Sequence, residues 1–381
     1  MNQILRGGKI IKTLLFGNGI NIQYGGGENT NKSIILRAIN KTYNPDFPKH
    51  IIIEEPEDLL SLLGRLFMAV REILNGKYDN YTTCSYEKFH LEDFKRRYKV
   101  FESINITDIG FEDYYLIYDL VCNKNNIVNP DRYYIREALK AFFIYSIFNS
   151  GKVNKNHENF PLELKTFFNQ FDNLFTTNYD QNIEVFTNRK VNYLHGSFNV
   201  RKEIYNKESF RNKLSDSPIK DFNIDERYYY LYSNVLTTYS GYLKKSNINE
   251  ARNANQAFEK MVVAYSTNEE IKETVDKWAT NDNHMLRNIA EGVKLKKENK
   301  DLYFKESYPI KEFEDIKGEI EIVGFSPNND THIFQGINDN LKLKSIKYYY
   351  FAKEEVQDVQ QLLSNHEVIF EEVSLLWKKY K

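Results

Sequence analysis

Cysteine is nearly absent: Cys84 and Cys122 are the two thiols among 381 residues. Two thiols cannot complete a structural zinc site by themselves, and they build no disulfide framework. Both read as inert, in a reduced, cytoplasmic protein. Net charge is nearly absent too, at −1, which gives no electrostatic footprint for nucleic acid as a general partner. The lysine runs near 294–300 and 378–381 read as solvated faces. No window approaches 18 uninterrupted apolar residues, so no membrane span is expected. The opening "MNQILRGGKIIKTLLFGNG" lacks the apolar core and small-residue cleavage site of a secretory signal. There is no internal repeat.

Apolar residues make up 41% of the chain and aromatics 15%, which is a core-forming composition. The length suits one large domain with an elaboration, or two domains. Residues 9–16, "KIIKTLLF", read as a buried strand ending at glycines. Helical spacing of apolar residues predicts helices over 56–76, with Gly76 as a cap, and over 129–151. "FDNLFTTNYD" (171–180) and "VNYLHGS" (191–197) read as strands running into polar loops. Between 201 and 300 charged and tyrosine-rich helical patterns dominate, read as a helical insertion or cap on a core formed by 1–200 and 301–381. Its tyrosines at 228–242 read as packing against the core or as an oligomer surface. The tail alternates strand, helix, strand, helix, strand from "EIEIVGFS" to "EVIFEEV". Such alternation predicts an α/β fold with a doubly wound, largely parallel sheet, which binds ligands at its strand ends.

Four polar groups each follow an apolar run: G-N-G-I-N at 17–21, T-T-N-Y-D at 176–180, L-H-G-S at 194–197 and G-F-S-P-N-N-D at 324–330. In a parallel sheet all four lie on one carboxyl edge. Each also has a plainer reading. Gly17-Asn18-Gly19 could be a simple turn, Asn178 and Asp180 could cap a helix starting near Gln181, and His195 could be a satisfied, half-buried histidine. His284 reads as a surface residue.

The order G-N-G-I-N, T-T-N-Y-D, H-G, G-F-S resembles the sirtuin-type, Rossmann-like NAD-binding fold. It is most similar to the sirtuin-like (SIR2-like) domains of bacterial anti-phage defence systems, and more loosely to H-type abortive infection proteins. The resemblance implies that Gly17, Asn18 and Gly19 bring a loop to the NAD pyrophosphate and that Asn21 borders the nicotinamide-ribose pocket. Asn178, beside Thr177, would hold the ribose hydroxyls or the attacking water, and Asp180 would line the nicotinamide side. His195 would be the general base. Gly324 and Ser326 would contact the adenosine half, with Asp330 ordering that loop. His332 could be taken for a second base, but its place in the chain reads as the first turn of the next helix, shaping the same loop.

The chain departs from deacylating sirtuins by lacking their paired C-x-x-C motifs and the acidic P-D-F-R element, where "IQYGGGENTNKS" stands instead. The resemblance therefore implies NAD hydrolysis, with NAD as substrate and no metal, over protein deacylation. It also implies a role as an effector of abortive infection. Such an enzyme is expected to stay inactive until it assembles, as a homo-oligomer or with an activating protein or nucleotide signal. The main alternative is a non-catalytic module that senses NAD or an ADP-ribose nucleotide. A deacylase and a nucleic-acid-binding effector follow behind.

Overall fold

Lys12–Phe16 forms strand β1, in which Leu14 and Leu15 are both completely buried. Side chains alternate across a strand, so successive buried residues need cover on both faces, as in the parallel sheets of α/β proteins. The computed structural model describes residues 9–49, 55–129, 131–215, 225–237, 241–305, 308–328 and 330–381. Residues 1–8, on which the reading of the N-terminus partly rests, lie outside them, as does Asn329 of the last motif. In the sheet, β1 is joined by β2 (Asn173–Thr176), β3 (Asn192–Tyr193), β4 (Gly318–Val323), β5 (Leu343–Tyr350) and β6 (Val368–Glu372). The order is β3-β2-β1-β4-β5-β6, and every pair is parallel. Leu14, Phe16 and Leu174 pack on one face with Phe168 and Trp377. Leu15, Ile320 and Ile322 pack on the other with Phe334 and Tyr348. The chain is thus α/β with a Rossmann-like sheet.

The strand order decides where a site can lie. From central β1 the chain moves outward to β2 and β3, then crosses back to β4 on the opposite side of β1. The connections after β1 and β4 therefore lead on to opposite edges of the sheet, which makes the carboxyl ends of these two strands its topological switch point.

The connection from β1 to β2 is a helical layer: α1 (Gly19–Gly25), α2 (Asn31–Lys41), α3 (Pro56–Leu74), α4 (Ser85–Tyr98), α5 (Asp113–Asn125) and α6 (Asp131–Phe148). Helix α3 starts with proline in its first turn and Glu57 and Asp58 beside it, which suits the positive end of the helix dipole. It ends where Gly76 takes φ +81° and donates to the Ile73 carbonyl. Helix α6 is buried without a break from Ala138 to Ile147, because α2, α5 and the 225–237 segment cover it.

The 201–300 stretch is divided in its packing. Tyr230, Leu231, Val235 and Leu236 belong to the same core as α3, α5 and α6. The helices Gly241–Thr267, Glu269–Trp278 and His284–Glu298 share a small core of Tyr265, Val275, Ala290 and Val293. Tyr230 and Tyr232 are buried, in keeping with packing against the core; residues 238–240 of the tyrosine-rich run lie outside the described ones. His284 and Cys84 are exposed, and Cys122 is buried.

Candidate functional site at the carboxyl edge of the sheet

The loops after β1 and β4 touch backbone to backbone. Gly17 N–H donates to the Val323 carbonyl at 3.0 Å, and Gly19 N–H donates to the Gly324 carbonyl at 2.9 Å. A Cβ at Gly19 would lie 2.5 Å from Gly324 Cα, and one at Gly17 would lie 2.5 Å from the Gly324 oxygen. Gly324 itself has φ +62°. These glycines answer first to loop packing at the switch point, and the Gly17 and Gly19 N–H groups are both engaged there. Gly19→Ala is accordingly expected to destabilise the fold by on the order of 2 kcal/mol. Gly27→Ala, with open space around it, should stay within about 0.5 kcal/mol of wild type. Denaturant unfolding of the two variants checks this; equal losses would mean that the contact does not constrain the loop.

Below this junction lies a buried amide cluster. Asn21 Nδ2 donates to Asp180 Oδ2 at 2.6 Å, while Asn182 donates to Asp180 Oδ1 through its backbone N–H at 3.0 Å and its Nδ2 at 2.6 Å. Asn21 Oδ1 accepts from Asn156 and Asn182, each at 3.1 Å. Burial raises the Asp180 carboxyl above its usual range, and the donors from Asn21 and Asn182 pull it back in part. Asp180 thus ties Asn21 of α1 to Asn182 at the start of the helix Asn182–Thr187, whose N-cap position is Gln181. Asn18 Nδ2 donates to the Asn29 carbonyl at 2.8 Å.

Asn178 makes no cap. Its N–H donates to Thr176 Oγ1 at 3.0 Å, and its Nδ2 donates to the Gly17 carbonyl at 3.2 Å, which fixes the amide between β1 and β2. Thr176 Oγ1 in turn donates to the Phe16 carbonyl at 2.9 Å. His195 follows β3 and is 4% exposed. Gly196 after it has φ +90°, and a Cβ there would meet Asn234 Oδ1 at 2.6 Å. The same Oδ1 accepts the Ser197 N–H at 3.0 Å. The His-Gly pair is therefore a sharp turn held from outside by Asn234.

Asp330 and His332 meet His195. His195 Nε2 lies 3.3 Å from Asp330 Oδ1 and 3.4 Å from His332 Nε2. Asp330 stands at the N-cap of the helix Thr331–Asn338, yet its side chain makes no cap bond. These three bring ligand-type atoms within 4.8 Å of one another, and no other such group of His, Cys, Asp or Glu occurs among the described residues.

All these loops border one cavity of about 870 Å³, within the range of small-molecule and cofactor sites. Gly17, Asn18, Gly19, Asn21, Thr177, Asn178, Asp180, His195, Gly324, Ser326 and Asp330 all line it. Ser326 is exposed, and its Oγ accepts the Asn328 N–H at 3.3 Å. The other wall comes from α4, α5 and the loop between them, a contribution the sequence reading missed. There Arg97 makes a two-pronged pair with Asp113 at 2.7 and 2.8 Å and a further bond to Asp93 at 2.8 Å. That guanidinium is already neutralised. Burial pushes His90 down to about 4, against the pull of Asp93 and Asp113, so it is neutral at pH 7. Tyr179 OH donates to Glu112 at 2.8 Å and links the two walls. Among the described residues, none from 201–300 lines the cavity; the helical layer between β1 and β2 covers it instead.

The chain matches no family model, no curated protein and no solved structure. The cavity offers a fixed uncharged amide, a histidine held between an acid and a second imidazole, and strand-end loops at a topological switch point. That combination suits binding a nucleotide and moving a proton at one of its polar groups. No helix among the described residues is long and apolar enough to cross a membrane.

Proposed function

We propose that the cavity binds NAD and that the chain hydrolyses its nicotinamide–ribose bond, giving nicotinamide and ADP-ribose. The observation that carries this reading is the convergence of Asn178 and His195, from the ends of β2 and β3, on one cavity at the β1/β4 switch point. The bond breaks through an oxocarbenium-like transition state, as in glycoside cleavage. Nicotinamide leaves from a cationic ring and needs no acid. Water adds at the anomeric carbon, and His195 takes the proton released from that water or from a ribose hydroxyl. The Asn178 amide, pinned to the Gly17 carbonyl, presents its oxygen to ribose or water without adding charge. The biological role that goes with this activity is depletion of NAD in anti-phage defence, restrained until assembly with further copies, a protein partner or a nucleotide signal.

The test is nicotinamide release from NAD by purified protein over a range of protein concentrations, with NAD binding measured in parallel. Turnover supports the hydrolase. Binding without turnover, persisting when extract from infected cells is added, would make the chain a sensing module. Neither binding nor turnover sinks the reading.

A further inference from the structure

We propose that His195, Asp330 and His332 form a site for a divalent transition-metal ion of the zinc type, whose occupation withdraws His195 from proton transfer. The second half rests on the hydrolase reading; the site itself does not. The His195 Nε2 distances to Asp330 Oδ1 and His332 Nε2, 3.3 and 3.4 Å, are long for good hydrogen bonds. They match the edge of a tetrahedron, since zinc bonds of about 2.0–2.1 Å set neighbouring ligand atoms about 3.3–3.4 Å apart. The two imidazole planes are 17° from parallel with centroids 5.4 Å apart, an offset in which the Nε2 atoms, 3.4 Å apart, are closer than the ring centres. One ring nitrogen carries either one proton or one lone pair, and Asp330 and His332 both approach it. A single ion between the three atoms would take one ligand from each. Asp330 adds its own observation: at an N-cap position, where aspartate ordinarily bonds the first turn, it makes no cap bond and lies beside His195 instead. Two imidazoles and one carboxylate suit zinc, cobalt or nickel; magnesium and calcium prefer all-oxygen sets. All three residues line the cavity, which leaves the fourth position open to water. Binding needs neutral imidazoles and an ionised carboxylate, so any protons on the site are released to solvent.

The experiment titrates Zn²⁺ into chelator-stripped full-length protein against a chromophoric competitor, and records the visible spectrum with Co²⁺. One equivalent per chain and an intense tetrahedral cobalt spectrum are expected. His332→Ala and Asp330→Asn should each weaken binding by at least about tenfold. Nicotinamide release should fall as zinc fills the site, return with chelator, and lose its zinc sensitivity in the His332 variant. No stoichiometric binding, or binding unchanged in both variants while circular dichroism shows them folded, overturns the site. Should His332→Ala not fold, His332→Gln serves in its place. Turnover that rises with zinc overturns the inhibitory role. Zinc binding without NAD turnover under any condition would leave the site standing and count against the hydrolase reading alone.

Discussion

His195→Ala, under the hydrolase reading, is expected to lower NAD turnover by about 10²–10⁴-fold, the usual contribution of a positioned general base. NAD binding should change far less, because the cavity's other lining residues remain. Asn178→Ala should give a loss of similar size, since its amide is anchored to the Gly17 carbonyl and has one place to act. The double variant should be little worse than either single one, because both groups serve the same reacting centre and lose their effect together. Metal-free protein is required throughout, so that an ion held by His195 is not mistaken for a loss of the base. Single-turnover rates and binding isotherms check these expectations, with thermal unfolding as the control for folding. A His195→Ala enzyme retaining more than about a tenth of wild-type turnover would remove His195 from the role of base.

The parts of this site that were legible in sequence share one property: each is a polar group directly after an apolar run. Leu14 and Leu15 announce a strand covered on both faces, and Gly17 and Asn178 then fall at strand ends whatever the order of the sheet. The expectation of one carboxyl edge needed no more than parallel strands. The order β3-β2-β1-β4-β5-β6, which puts Gly17 against Gly324, depends on pairing between residues some three hundred apart and leaves no local mark. Arg97 and Asp93 were missed for a different reason. In "HLEDFKRRY" they sit at i and i+4 among other charges, which reads as a solvated helix face, and only tertiary packing brings Asp113 to the same guanidinium. The approach of Asp330 to His195 leaves no local mark in the sequence, because aspartate before a helix is so often a cap. For the 201–300 stretch, charge and tyrosine content report exposure and aromatic packing, not position, and none of its described residues lines the cavity.

Glu137→Ala is expected to be the most damaging of the changes to stability, at roughly 3–5 kcal/mol, because it strips the carboxylate from a buried charge cluster. Glu137 accepts from Lys202 Nζ and from Tyr205 OH, both at 2.8 Å, and ties α6 to the segment after β3. Burial alone would raise its carboxyl, but Lys202, Lys140 and Tyr205 bring it down to about 2. One turn further along, Lys140 is 2% exposed and donates to the Ser233 carbonyl at 2.9 Å. Burial pushes the Lys140 ammonium down to about 7, with Glu137 resisting and Lys202 adding to the fall. The two groups work in separate pH windows. Glu137 is lowered on folding, so its contribution is complete above the unfolded carboxylate pKa near 4.5 and is lost as pH falls towards 2. Lys140 is also lowered, so between about 7 and 10.5 the unfolded chain holds the extra proton and stability rises with pH. The slope should approach about 1.4 kcal/mol per pH unit across that window. In Glu137→Ala the carboxylate that raised Lys140 is gone, so the rise should begin below pH 7; in Lys140→Met it should vanish. Denaturant unfolding of the three proteins from pH 6 to 9.5 separates these outcomes, below the range where buried tyrosines would tilt the curve the other way. A wild-type profile that stays flat over this range, superimposable on that of Lys140→Met, would mean that Lys140 enters the fold with its ordinary proton affinity.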